Sequence, residues 1–211
     1  VPNAVDVGRF GDLKRDEQLA EELGVADKVV IGFAGTLTSY EGLDDLLRVG
    51  AEIRKLVDSP FAFLFVGDGP VRGELETLAT ELGLGDVTIF TGRVPHSEVA
   101  RYLSIVDIAP FPRKPLPVCE MVSPLKPLEA MASGIAVLGS DVGALKEMIP
   151  VGVGLTFNKG SSSDLMEKLR SLIEDQSLRS ELGDNARRWV ATQRSWQVVS
   201  RRVADVYSEL T

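Results

Sequence analysis

Cysteine occurs once in this 211-residue sequence, at Cys119, and histidine once, at His96. One cysteine excludes an internal disulfide, and no Cys and His spacing suggests zinc. A reducing compartment is compatible with that. A single histidine excludes a His-rich metal site and leaves a His-based triad without support. No apolar run approaches the roughly 18 residues of a membrane helix, so the sequence reads as a soluble chain. Basic residues are outnumbered: the net charge is −8, and no basic arm or Lys/Arg cluster interleaved with aromatics is present. Nucleic acid is therefore excluded as an expected partner. The opening "VPNAVDVGRF" has neither an initiator Met nor a signal-peptide pattern and is read as the start of a fragment cut from something longer. There is no internal repeat, low-complexity tract or long linker.

What is present is an ordinary apolar fraction, 44%, enough for a packed core. Six short apolar runs, 28–35, 61–67, 86–92, 106–112, 135–140 and 153–157, mostly end in Gly, Pro or Ser. Such continuous runs fit strands buried on both faces. Helical patterns lie between them: one over 42–56 with Leu43, Leu46, Leu47, Ile53 and Leu56, another over 71–83 ending at Gly83. Alternation of this kind predicts an α/β fold, a Rossmann-like, doubly wound parallel sheet of about six strands with helices on both faces. After residue 160 the pattern is helical only, a C-terminal tail with Ser163 and Ser177 as expected caps. The whole of 1–211 is read as a single domain.

In open α/β sheets ligands gather at the carboxyl ends of the strands, which directs attention to 35–42, 67–70, 92–96, 112–127 and 140–144. In "GTLTSYEG" (35–42), Gly35 permits close approach of a ligand and Ser39 is a candidate cap; a plain βα turn that needs glycine is the competing reading. "GDGP" (67–70) fails as a dinucleotide fingerprint because Arg72 stands where the third glycine belongs, so it reads as a structural turn entering a helix at Pro70. Four prolines from 110 to 117 predict an extended loop that presents Arg113 and Lys114.

"SPLKPLEAMASG" (123–134) carries the sharpest signal. Pro124 and Pro127 compete as the first residue of a helix, and either start leaves Lys126 beside free N–H groups, where an ammonium is disfavoured. Lys126 also precedes Glu129 at i,i+3, the poorer order for a helical ion pair. The placement fits an anion arriving from outside: Arg113, Lys126 and the helix N–H groups could neutralise a diphosphate. Glu129, one turn on, could accept from the vicinal hydroxyls of a ribose, or could simply sit well in a first helical turn. His96 and Ser97 are candidate caps, and Cys119 an incidental thiol.

These stretches resemble the C-terminal, donor-binding half of a retaining GT-B group 1 glycosyltransferase, over nearly the whole chain. "FAGTLTSYEGLDDLL" is similar to the family's first strand, glycine loop and helix, "LKPLEAMASGIAVLGSDVGALKEMI" to its most specific block, and "RSWQVVSRRVADVYSEL" to its closing helix. The resemblance implies that Glu129 is the second acid of an E-x7-E motif holding the donor ribose. It implies that Gly35 and Thr36 face the phosphates, Arg93 and Val94 the base, and the backbone at Leu125 and Lys126 the diphosphate. It departs at Met121, where the motif's first acid belongs, with Glu120 one position off as the possible substitute. It departs also at Thr36 and Glu41, which stand where the family's loop carries cations; Arg113 and Lys126 are then the expected replacements.

The resemblance implies catalytic roles for Glu120, Arg113 and Lys126, a UDP- or GDP-sugar as donor substrate, and neither cofactor nor metal. It implies a sugar, lipid or polysaccharide acceptor held by an absent N-terminal domain, towards which helix 195–211 would pack. A cytoplasmic location follows, at the membrane surface in the full-length protein. Transfer by the fragment alone is not expected. Competing readings are a sugar-nucleotide epimerase or phosphorylase on the same fold, and a non-catalytic binding or scaffold module.

Overall fold

The computed structural model describes residues 1–11 and 13–209. The chain begins with two short helices, α1 (Val7–Phe10) and α2 (Glu17–Glu22). Strand β1 (Val29–Ala34) leads through a 3-10 turn at Ser39–Glu41 into α3 (Leu43–Ile53). Then follow β2 (Phe61–Val66), α4 (Arg72–Glu81) and β3 (Thr88–Gly92). A second 3-10 turn, His96–Glu98, precedes α5 (Val99–Leu103), and β4 (Ile108–Phe111) precedes α6 (Pro117–Met121). Next come α7 (Lys126–Ala132), β5 (Ala136–Ser140), α8 (Gly143–Lys146) and β6 (Leu155–Phe157). The chain closes with α9 (Ser162–Glu174), α10 (Gln176–Gln193) and α11 (Trp196–Glu209). Leu210 and Thr211, the end of the expected 195–211 helix, lie outside the described residues.

All six expected strands form, in one parallel sheet of order β3-β2-β1-β4-β5-β6. β2, β4 and β5 are buried at every position and β1 at its four inner ones, as uninterrupted apolar runs require. The edge strands β3 and β6 are only half-buried. On β2, Phe63 and Phe65 share a face at i,i+2 and stack with centroids 6.1 Å apart. Right-handed crossovers that reverse direction at β1 send α3 and α4 to one face and α7 to the other. Accordingly α3 packs on α4 and α9, and α7 packs on α1 and α10.

The reversal leaves a crevice between β1 and β4, which share only the pair Ile31 and Ile108. Pro110, within β4, lies beyond that pair and faces Leu138 of β5 in the ladder. The expected extended loop over 110–117 is therefore interrupted at both ends: Pro110 belongs to a strand, and Pro117 opens α6, a position where a missing N–H costs nothing.

Other local expectations are corrected too. α3 ends at Ile53, so Leu56 is exposed rather than part of its stripe, and Gly42 rather than Ser39 is its N-cap. α4 starts at Arg72, two residues after Pro70. Neither His96 nor Ser97 caps a helix by a side-chain bond. Asp164 N–H donates to the cap Ser161 and Leu178 N–H to the cap Asp175, in place of Ser163 and Ser177. Lys126, not Pro124 or Pro127, is the first residue of α7, with Leu125 as N-cap. Pro127 at the second position has no N–H to offer, and none is needed there inside the helix.

Candidate functional site

Two loops form one wall of a cleft at the carboxyl ends of β1 and β2, and backbone bonds join them. Gly35 N–H donates to Val66 O (2.8 Å) and Leu37 N–H to Asp68 O (3.0 Å), while Gly67 N–H donates to Gly92 O (3.0 Å) and ties the second loop to the end of β3. A Cβ on Gly69 would stand 2.2 Å from the Leu37 carbonyl oxygen, so only glycine allows this approach. "GDGP" is thus structural as expected, and it also lines the cleft, whose volume is about 480 Å³.

Gly35 forms the floor, with φ +153° and the stem of Lys126 lying across it; a Cβ there would be 2.3 Å from Lys126 Cε. The Lys126 ammonium is fixed from two further sides. It donates to Glu41 Oε1 at 2.7 Å and stands 4.7 Å from the centre of the Phe33 ring. Glu41 is almost fully buried (1% exposed). Its other partner is Arg113, whose Nε donates to Oε2 (3.1 Å) and whose second guanidinium nitrogen donates to Oε1 (3.3 Å). The remaining arm of Arg113 donates to Val122 O, and the guanidinium lies over Tyr40.

This corrects the expectation that Arg113 and Lys126 act side by side on an anion. Lys126 lines the cleft, whereas Arg113 is 6% exposed, does not line it, and grips Glu41 from behind. Glu41 is the residue that sequence reasoning missed. It was noted for the cation it displaces, while its role as acceptor for two cations, 72 and 85 residues away, left no local pattern.

Thr36, Arg93, Val94, His96 and Glu129 line the same cleft as Lys126. Glu129 is half-buried, and burial pushes its carboxyl above the usual Glu range; the basic groups around it, His96, Arg9 and Lys126, offset only part of this. Arg9 of α1 reaches over to hold the His96 ring: its guanidinium donates to Nε2 at 2.7 Å and to the His96 carbonyl. Since a guanidinium can only donate, Nε2 is the acceptor in this contact.

Because the folded state raises the Glu129 pKa, its contribution to stability is complete below the ordinary Glu value and is lost as pH rises through the raised one. Glu129→Gln is therefore expected to stabilise the fold at pH 7 by roughly 1 kcal/mol. The gain should disappear in melts run at pH 4. A loss of stability at pH 7 would contradict this account.

The other expected site residues lie elsewhere. Glu120 does not line the cleft: it accepts from Gly143 N–H (2.7 Å) and from Lys159 Nζ (2.5 Å), contacts that hold its carboxyl below the ordinary range. Met121 is exposed, and Leu125 is half-exposed with its carbonyl accepting from Leu128 and Glu129 N–H. Cys119 is buried, and burial raises its thiol pKa. A larger cavity, about 570 Å³, lies between α3 and α4 with Lys114 at its edge paired to Asp44; it is not at the β1/β4 reversal. Among the described residues no group of three His, Cys, Asp or Glu could hold a metal, and no helix is long and apolar enough to cross a membrane.

An open parallel sheet with a glycine-floored cleft beside its point of reversal, lined by Lys126 and Glu129 a helical turn apart, defines a Rossmann-like domain. The chain belongs to the family described as glycosyl transferases group 1, whose model matches residues 14–189.

A GDP-mannose-dependent alpha-(1-6)-phosphatidylinositol monomannoside mannosyltransferase of Mycolicibacterium smegmatis is 26% identical over 99% of this chain and 55% of its own length. The C-terminal domain of a group 1 family glycosyl transferase (LpcC) from Francisella tularensis superposes with TM-score 0.78 at 25% identity, over 91% of this chain and 99% of that one. Anabaena Alr3699/HepE, solved in complex with UDP and glucose, shares the fold with TM-score 0.84 at 22% identity, over 99% of this chain and 56% of that one. The chain spans about half the length of the curated relatives it matches.

Proposed function

We propose that this chain is the donor-binding half of an enzyme that moves a sugar from a nucleotide diphosphosugar to an acceptor with retention of configuration. The observation that carries the reading is the pairing of Lys126 and Glu129 at the start of α7, both lining a cleft floored by Gly35. A part-buried ammonium held in place suits a diphosphate in the bound donor and, more so, the diphosphate as it departs. A half-buried carboxylate one turn away suits vicinal ribose hydroxyls, which donate two hydrogen bonds to it.

Arg93, Val94 and His96, which also line the cleft, are the proposed neighbours of the base. Arg113 acts through Glu41, and Glu120 at most through the α8 start that it holds. Among similar proteins one is named for GDP-mannose and another was solved with UDP, so both bases enter the test. The acceptor belongs to the part of the protein that would close over this cleft.

Calorimetric titration with UDP, GDP, ADP and their sugar conjugates checks the proposal. One nucleotide should be selected, and Lys126→Ala and Glu129→Ala should each weaken it about tenfold or more. Absence of binding across the panel, or affinity indifferent to both substitutions, overturns it.

A further inference from the structure

The cleft contains a cation whose position is set by a carboxylate that the ligand cannot reach. We infer that Glu41 is a positioning residue for the diphosphate subsite: it holds the Lys126 ammonium at one point above Gly35, and Arg113 holds Glu41. The inference rests on the donor-site reading above.

The geometry leaves Lys126 little freedom. Three independent contacts converge on its last two atoms: Glu41 Oε1 at 2.7 Å, the Phe33 ring centre at 4.7 Å, and the bare Cα of Gly35 under Cε. An ammonium has three donors. One is used by Glu41, the Phe33 face covers another side, and the rest of its surface borders the cleft.

Glu41 itself is held without recourse to solvent. Both its oxygens accept from the Arg113 guanidinium, which is anchored in turn by Val122 O, while the Arg113 carbonyl accepts from the buried Ser140 hydroxyl. A lysine on a free four-carbon stem would lose side-chain entropy when it closed on a phosphate. Here that loss is already incurred in the folded chain, so the cation is preorganised. Two cations against one anion leave the cluster with a net positive charge, and its exposed member is Lys126, which lines the cleft.

This differs from simple charge compensation, and the two accounts give opposite signs. If Glu41 only neutralised its neighbours, Glu41→Gln would make the cleft more positive and tighten anion binding. If it positions Lys126, the same substitution weakens diphosphate binding.

The test titrates the chain and its Glu41→Gln and Glu41→Asp variants with UDP, UMP and uridine, and with GDP, GMP and guanosine. Both substitutions are expected to weaken the diphosphate about tenfold, with the nucleoside shifted less than about twofold. Asp keeps the charge and loses the reach, so its agreement with Gln separates position from charge; Asp also carries the test should Gln not fold. Unchanged or tighter diphosphate binding in either folded variant overturns the inference while leaving the donor-site reading intact. If the unsubstituted chain binds no diphosphate, the donor-site reading fails, and the inference falls with it.

Discussion

Arg113→Ala is expected to destabilise the fold by about 3–5 kcal/mol, the cost of leaving a buried charge without its main partner. The guanidinium supplies two of the three side-chain hydrogen bonds that Glu41 accepts and one to Val122 O. Removing it leaves a carboxylate at 1% exposure facing one ammonium. Urea denaturation at pH 7 measures the loss. The double variant Glu41→Met/Arg113→Met should be more stable than Arg113→Ala alone, since replacing both members of the buried Glu41–Arg113 pair by apolar side chains is tolerated better than removing one, and the remaining Lys126 ammonium is the part-exposed member. A loss below about 1 kcal/mol for Arg113→Ala would show that water or another group compensates Glu41.

Gly69→Ala carries the second large effect. The added methyl would meet Leu37 O at 2.2 Å, Leu37 N at 2.6 Å and Leu37 C at 2.8 Å, all backbone atoms with no rotamer to yield. The two loops must separate, at a cost of about 1–3 kcal/mol. Because Leu37 lies two residues from Gly35, the cleft floor moves with them, and nucleotide affinity should drop by about tenfold or more. Gly73→Ala is the matched control. In α4 its Cβ would meet nothing within 4 Å, and the change should be neutral or stabilise by up to about 1 kcal/mol. Equal behaviour of the two variants in thermal melts and titrations would refute the close-approach argument.

The sheet was legible in the sequence because buried parallel strands are continuous apolar runs, and runs such as "FAFLFVG" admit few other readings at that length. Four-residue and six-residue helices such as α1 and α2 have too few turns to show a period, and α6 was hidden because its Pro117 reads as a breaker when it is an opener. The caps failed by two residues where several Ser and Asp compete, as at 161–164 and 175–177.

At the site, Lys126 stood out because it sits badly in its own helix. Its resolution is Glu41, reached through the fold rather than along the chain. Arg113 read as an exposed loop cation because no nearby residue reveals that Ser140, Val122 and Glu41 enclose it.

Arg9 lies five residues before the stretch that matches the family, which begins at residue 14. The stretch that matches the family model and the stretch whose residues hold the cleft together are therefore not the same length of polypeptide. A boundary drawn from the match would keep every strand and the Glu41 cluster. It would discard the guanidinium that orients His96, along with the bridge by which Val5 meets Ser195 ahead of α11. For cloning or grafting this domain, the first eleven residues belong with the fold, because Arg9 holds the His96 that lines the cleft.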